Sequence, residues 1–401
     1  MTSPKKKILI LETYPGFHPL DRFSAIASVL FSMGELLQNN GYDVSINQYP
    51  MLDLMQKVSL GEVQIIKSTS RMGLTKYLPI KLKEGIKDLF LFLKLWRTKK
   101  SYQYLASKPD LIIEFLTYGS TIGLELSKCW KRPFLAIYDT PQLEQYEYLN
   151  GFLPIFKNTI EDRELASVRE ANAVIAYSEE ISDRLKSKIG PYQNFHYHQL
   201  ADFKRLDFIQ EKDELPPINL AYIGSFLKWH KIDTLINVFS RLRSEGYELN
   251  LYLVGEGLEF KPTKEFALTM PFGDEIIFTG FADGKKLKEI IKKIHIGIIP
   301  NAMWFHAPVK LFQYSAAKMA LLAADTPTIS FITRDNEGVM LFDNENPDNL
   351  YKQLKYLVKN PDKIPHHAGL AQKHIFDKYN PDAVLKKMNS IIEPMLAEKT
   401  T

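Results

Sequence analysis

Short apolar runs rich in Ile, Leu, Val and Tyr punctuate the chain, and each stops at a glycine, a proline or another turn residue. In the C-terminal half they are Ile218–Ser225, Leu249–Gly257, Glu275–Phe281 and Ile294–Asn301. Runs of this kind read as strands covered on both faces, as in a parallel sheet. Helical stretches separate them at Ile232–Glu245, Lys285–Lys293 and Val309–Ala317. The N-terminal half alternates in the same way. Lys7–Leu11, Tyr42–Gln48, Leu111–Phe115, Phe134–Tyr138 and Ala173–Ala176 read as strands, and Phe23–Asn39 as a helix closed by Asn40-Gly41. Alternation of this kind predicts an α/β protein with two Rossmann-like, doubly wound domains. Residues 1–199 form the first, 200–217 with its Pro216-Pro217 pair the linker, and 218–380 the second. Two such domains face a cleft, a usual place for a small-molecule site. Ligands of doubly wound sheets bind outside the carboxyl ends of the strands, so the glycine loops there are the first candidates.

Length and charge refine this picture. The 401 residues suit about two domains. The net charge of +4 is unevenly spread: residues 70–108 hold ten Lys/Arg against Glu84 and Asp88, so the remainder is net acidic. The single cysteine, Cys129, excludes an internal disulfide framework and suits a reducing compartment such as the cytoplasm. Lys5–Lys7 followed by Ile8–Leu11 is too short a pattern for a leader and reads as the first strand. No apolar run approaches the ~20 residues of a membrane-spanning helix. No nucleic-acid partner is expected.

Four strand-end motifs stand in order: Gly224-Ser225-Phe226-Leu227-Lys228-Trp229-His230-Lys231, Val254-Gly255-Glu256-Gly257, Phe278-Thr279-Gly280-Phe281, and Ala307-Pro308-Val309-Lys310-Leu311-Phe312-Gln313-Tyr314-Ser315-Ala316, the last followed by Ala323-Ala324-Asp325. In sequence, order and spacing over about 218–360 they resemble the C-terminal half of retaining glycosyltransferases of the GT-B fold, in particular glycosyltransferase family 4. The resemblance implies transfer of a sugar from a nucleotide-diphosphate sugar, with retention of configuration, no metal and no cofactor beyond that co-substrate. It also implies a C-terminal helix, here 381–398, that crosses back to the first domain.

The residues have chemistry of their own. A glycine at a strand end lets a diphosphate approach main-chain N–H groups, so Gly224 and Ser225, with Lys228, His230 and Lys231 as cations, are donor candidates. Gly255 and Gly257 lack the third glycine of a dinucleotide fingerprint, since Phe260 sits there. Phe281 closes the next strand end. Pro308, Val309, Lys310 and Gln313 open a helix whose free N–H groups and dipole suit an anion or sugar hydroxyls. By resemblance two glutamates are expected at 305 and 313, where Phe305 and Gln313 stand. Gln313 still donates and accepts toward ribose hydroxyls, and His306 adjoins Phe305. Asp139, after Phe134–Tyr138, lies where the family carries a polar group near the reacting sugar. Asp139 and His306 are therefore the catalytic candidates. His196 and His198, and His366-His367, have no carboxylate or cysteine at ligand spacing, so no metal site is read.

Within Ile80–Arg97, Leu82, Ile86, Leu89, Leu93 and Trp96 form a helical stripe, with Lys83, Lys87 and Lys94 on another face. Such a helix either packs on the first domain with a solvated basic face or attaches to an anionic membrane. The reading is thus a cytoplasmic transferase acting on a glycan or lipid-linked acceptor, with peripheral attachment through about 80–100. The rival from another class is a glycosyltransferase-like binding subunit without activity, which the absence of both glutamates favours. A two-domain oxidoreductase is the further rival, opposed by the missing third glycine.

Overall fold

The computed structural model describes residues 4–13, 17–21, 25–60, 79–103, 107–191, 194–197, 212–282, 284–306, 309–333, 338–343 and 345–397. The chain divides into two compact units, Met1–Asp202 with Pro381–Thr401, and Phe203–Asn380. Pro308 and the linker positions 200–211 lie outside the described residues.

The first unit is built on seven strands, β1 (Lys7–Leu11), β2 (Asp43–Ile46), β3 (Tyr49–Pro50), β4 (Leu111–Phe115), β5 (Phe134–Tyr138), β6 (Ala173–Ala176) and β7 (Phe195–Tyr197). They lie in the order β3-β2-β1-β4-β5-β6-β7. All pairings are parallel except β2 with β3. Every residue of β4, β5 and β6 is buried, as continuous apolar runs require. Helices cover the faces. β2 is shorter than the expected Tyr42–Gln48 because Asn47 takes a left-handed backbone, φ 53°. The Asn47 side chain then accepts from Glu12 N at 3.0 Å and donates to Glu12 O at 2.9 Å, fixing the loop after β1. The helix Pro381–Ala397 belongs to this unit, where Tyr42 donates to Asn389 Oδ1 at 3.4 Å.

The second unit carries β8 (Ile218–Ile223), β9 (Leu249–Val254), β10 (Ile277–Gly280), β11 (Ile296–Ile299), β12 (Ala320–Ala324) and β13 (Val339–Phe342). Their order is β10-β9-β8-β11-β12-β13, all parallel. The core is formed by Leu220, Tyr222, Leu251, Leu253, Ile298 and Leu322 from the strands with Leu235 and Phe239 from a covering helix. Each such side chain contributes roughly 1.5–3 kcal/mol by leaving water. Both sheets reverse strand order once, between β1 and β4 and between β8 and β11. Loops leaving the strands on either side of a reversal diverge, and this opens a crevice at the carboxyl ends.

Candidate active site

In the second unit the reversal lies between the loop after β8, beginning at Gly224, and the loop after β11, reaching the helix Val309–Ala316. Tyr314 ties the two together: its hydroxyl accepts from Ile223 N at 2.7 Å. Gly297 in β11 makes room for that ring, since a Cβ there would lie 2.5 Å from it. A glycine inside a strand run is the sequence signal for such an approach, and it passed unread. Tyr222, at the end of β8, donates to Ser225 O at 2.6 Å and so folds the glycine loop back on the strand. Asn301, buried after β11, donates to Trp229 O at 2.6 Å and clamps the turn Lys228–His230 from the other side.

Three cationic or potentially cationic side chains meet here. Lys310, in the first turn of Val309–Ala316, lies against Gly224: a Cβ on that glycine would collide with Lys310 Cε and stand 2.9 Å from Nζ. The ammonium also sits 5.3 Å from the centroid of the Tyr222 ring. Among the described residues no carboxylate acts on it. Burial draws it down to about 8. His230 and His306 face each other with ring centroids 5.8 Å apart. Burial, then Lys310, pulls His306 down to about 3, and burial, Lys310 and His306 hold His230 far below the usual imidazole range. His306 Nδ1 is buried with no partner among the described residues. Two neutral imidazoles and one lysine with no counter-ion among the described residues form a polar, net-positive lining suited to an anion.

The other donor candidates are placed around this core. Ser225 Oγ is 3.5 Å from His230 Nε2. Val309 and Gln313 are half-buried on the helix of Lys310. Lys228 is exposed, and Lys231 faces Glu345 at 4.0 Å, so the cation that touches Gly224 is Lys310 and neither of these. Gly255 and Gly257 serve the protein's own backbone. A Cβ on Gly255 would strike the Gly224 carbonyl, and one on Gly257 would lie 2.7 Å from Phe226 N. The loops are laced by Gly224 N to Val254 O, Phe226 N to Glu256 O and Gly255 N to Gly280 O, each at 2.9 Å. Phe281 N reaches Glu256 Oε1 at 3.4 Å at the next strand end. Phe305 is buried edge-on against Trp304 and lines the core; its neighbour His306 is the one beside Lys310.

Asp139 belongs to the first unit, directly after β5. Burial pushes its carboxyl up to about 7, with the Thr140 hydroxyl pulling the other way. Nearby, Glu114 in β4 is also raised to about 7 by burial and accepts from Ser120 Oγ at 2.5 Å and Gly123 N at 2.9 Å, which shapes the turn after β4. Among the described residues no three His, Cys, Asp or Glu side chains cluster closely enough to hold a metal.

Two Rossmann-like units with these topologies are the architecture of GT-B glycosyltransferases. Sucrose-phosphate synthase from Thermosynechococcus elongatus has the same fold at TM-score 0.71 and 15% identity, covering 98% of this chain and 100% of that one. The Anabaena protein HepE, in complex with UDP and glucose, superposes at TM-score 0.65 and 12% identity over 97% and 99% of the two chains. Residues 202–374, most of the second unit, match the family model Glycosyl transferases group 1. An uncharacterized glycosyltransferase of Methanocaldococcus jannaschii is 18% identical over 202 residues, 50% of each chain, so the chain spans about half the length of this curated relative.

Proposed function

We propose that this protein moves a sugar from a nucleotide-diphosphate sugar to a glycan or lipid-linked acceptor, with retention of configuration and without a metal or further cofactor. The observation that carries the reading is Lys310, half-buried against Gly224 at the strand reversal, with no carboxylate among the described residues acting on it. A diphosphate supplies the missing anion. The Gly224 backbone, Lys310 and the first turn of Val309–Ala316 receive it, with Gln313 toward the ribose. As the bond to the sugar breaks, charge grows on the leaving phosphate, and a lysine and helix dipole already in place stabilise it without reorganisation. His306, neutral and with no partner for its Nδ1 among the described residues, offers a hydrogen-bond partner to the sugar or phosphate. Asp139, raised by burial, is the first unit's candidate for handling the acceptor proton. HepE holding UDP and glucose supports a uridine donor among those to be tried.

The chain's place of work is proposed to be the cytoplasmic face of a membrane. Attachment is proposed to be peripheral; no helix among the described residues is long and apolar enough to cross a membrane. A panel of UDP-, GDP- and ADP-sugars in a thermal-shift assay tests the donor reading, because a ligand of the folded state raises its melting temperature. One donor is expected to shift it. Uniform failure across the panel would leave the site without the ligand proposed for it.

A further inference from the structure

The helix Ile80–Gln103 is turned the opposite way from an ordinary surface helix. Its inward positions are Gly85, Asp88, Leu95 and Tyr102, all buried, at spacings of three, seven and seven. The apolar stripe faces outward instead: Leu82 is 47% exposed, Leu89 53%, Phe90 67%, Leu93 47% and Trp96 52%. Exposed apolar residues are ordinary one at a time, whereas five on one helix form a patch that requires an account. The patch extends beyond the helix. Gly85 lets Ile155 pack against it, since a Cβ there would lie 2.6 Å from Ile155 Cδ1, and Ile155 is itself 53% exposed. Phe156 meets Phe92 edge-on with centroids 6.1 Å apart.

Cations are interleaved with this surface. The helix carries seven Lys/Arg against Glu84 and Asp88, and Lys81, Lys87, Lys94, Arg97 and Lys100 are exposed. Lys100 Nζ lies 4.0 Å over the Trp96 ring. A protein partner would meet the leucines with few charges between them. A leaflet of acidic headgroups over acyl chains matches both components at once. Position within the unit agrees. The first turns of the helix adjoin the segments that follow β4 and β5: Tyr146 donates to Glu84 Oε2 at 3.4 Å, Tyr118 stacks on Tyr146 at 5.3 Å, and Lys81 sits 5.9 Å over the Phe152 ring. Those segments are the carboxyl-end loops where an acceptor would enter this unit.

We infer that Leu82, Leu89, Phe90, Leu93 and Trp96, with Ile155 at their edge, insert into the headgroup region of an anionic phospholipid surface while the surrounding lysines bind its phosphates. The inference rests on the membrane-side reading above and names the surface that performs it; donor binding is independent of it. Co-sedimentation with phosphatidylglycerol–phosphatidylcholine vesicles, with tryptophan emission recorded in parallel, tests it. The full chain is expected to sediment at low salt, to be released by high salt, and to show a blue-shifted emission from Trp96. Lys87→Glu, Lys94→Glu and Lys100→Glu together should weaken binding by at least about fivefold for each lysine removed. Leu89→Ser, Leu93→Ser and Trp96→Ser, at exposed positions, should abolish the blue shift and most of the sedimentation.

The inference is overturned if the wild type stays in solution at low salt or if the serine variant binds like wild type. It is equally overturned if the serine changes only dissociate a self-associated form in the absence of lipid. Donor-induced thermal shift in both variants is expected to equal that of wild type. A wild type that sediments but responds to no donor would overturn the donor reading and leave the lipid surface standing.

Discussion

Lys310→Met removes a charge while keeping the volume of the stem, and the structure states what should follow. Burial brings the Lys310 ammonium from 10.5 to about 8. That displacement corresponds to roughly 3 kcal/mol of unfavourable interaction carried by the charged form in the folded protein at neutral pH. A bound diphosphate relieves it, and methionine removes it outright. The melting temperature of the variant should therefore not fall. Donor affinity should fall by about 1.5–3 kcal/mol for one lost charged hydrogen bond, or roughly ten- to 150-fold. The pH dependence has a definite sign. The free lysine is protonated below about 8, so wild-type affinity should be level there and weaken as pH rises through that value. Because a bound anion raises the lysine again, binding near pH 8 should take up a proton, and the variant should lose both effects. Titration calorimetry in buffers of different ionisation enthalpy reads affinity and proton uptake together. Unchanged affinity in the variant, or a lowered melting temperature with donor binding intact, would refute the assignment and make Lys310 a packing residue.

Other expectations follow from the same loops. Gly255→Ala drives a Cβ into the Gly224 carbonyl at a position with φ 129°; it should destabilise the protein by about 1–3 kcal/mol in urea unfolding and abolish donor binding. Gln313→Glu should leave donor KM near wild type, and Gln313→Leu should raise it several-fold; equal kinetics for Leu and wild type would turn this helix away from the ribose. Asp139→Asn should remove most transfer while donor affinity stays within twofold or so, since Asp139 stands in the other unit; lost donor affinity would contradict that division.

The buried strands were legible because their signal is local. β1, β4, β5 and β6 have the bounds their apolar runs imply, since a strand covered on both faces writes a continuous run. β13 and the helices Pro347–Lys359 and Lys363–Tyr379 went unread, as VMLF is short and follows Gly338 without a clear period. The glycine loops were legible as loops, but their reason was not. Gly255 and Gly257 answer to the backbone of 224–226, a contact between segments about thirty residues apart. Lys310 was legible as a donor candidate on its own helix, but its contact with Gly224 spans a far longer stretch of chain, so Lys228 and Lys231, which adjoin Gly224 in sequence, stood in its place as the loop's cations. Periodicity showed the stripe of Leu82, Leu89, Leu93 and Trp96 without showing which side was covered. The inward face holds Gly85 and Asp88, a combination that reads as solvent-facing.

The central claim is transfer, and release of nucleoside diphosphate measures it most directly. Each member of a panel of nucleotide sugars is incubated with the protein and with glycan or lipid-linked acceptors, in the presence and absence of a chelator, and the freed nucleotide is quantified. The account predicts that one donor is consumed in the presence of acceptor, that the chelator does not stop it, and that Lys310→Met slows it at least about tenfold. A donor that binds with the affinity expected of this site and is never consumed with any acceptor would contradict the account and leave a sugar-nucleotide-binding subunit in its place.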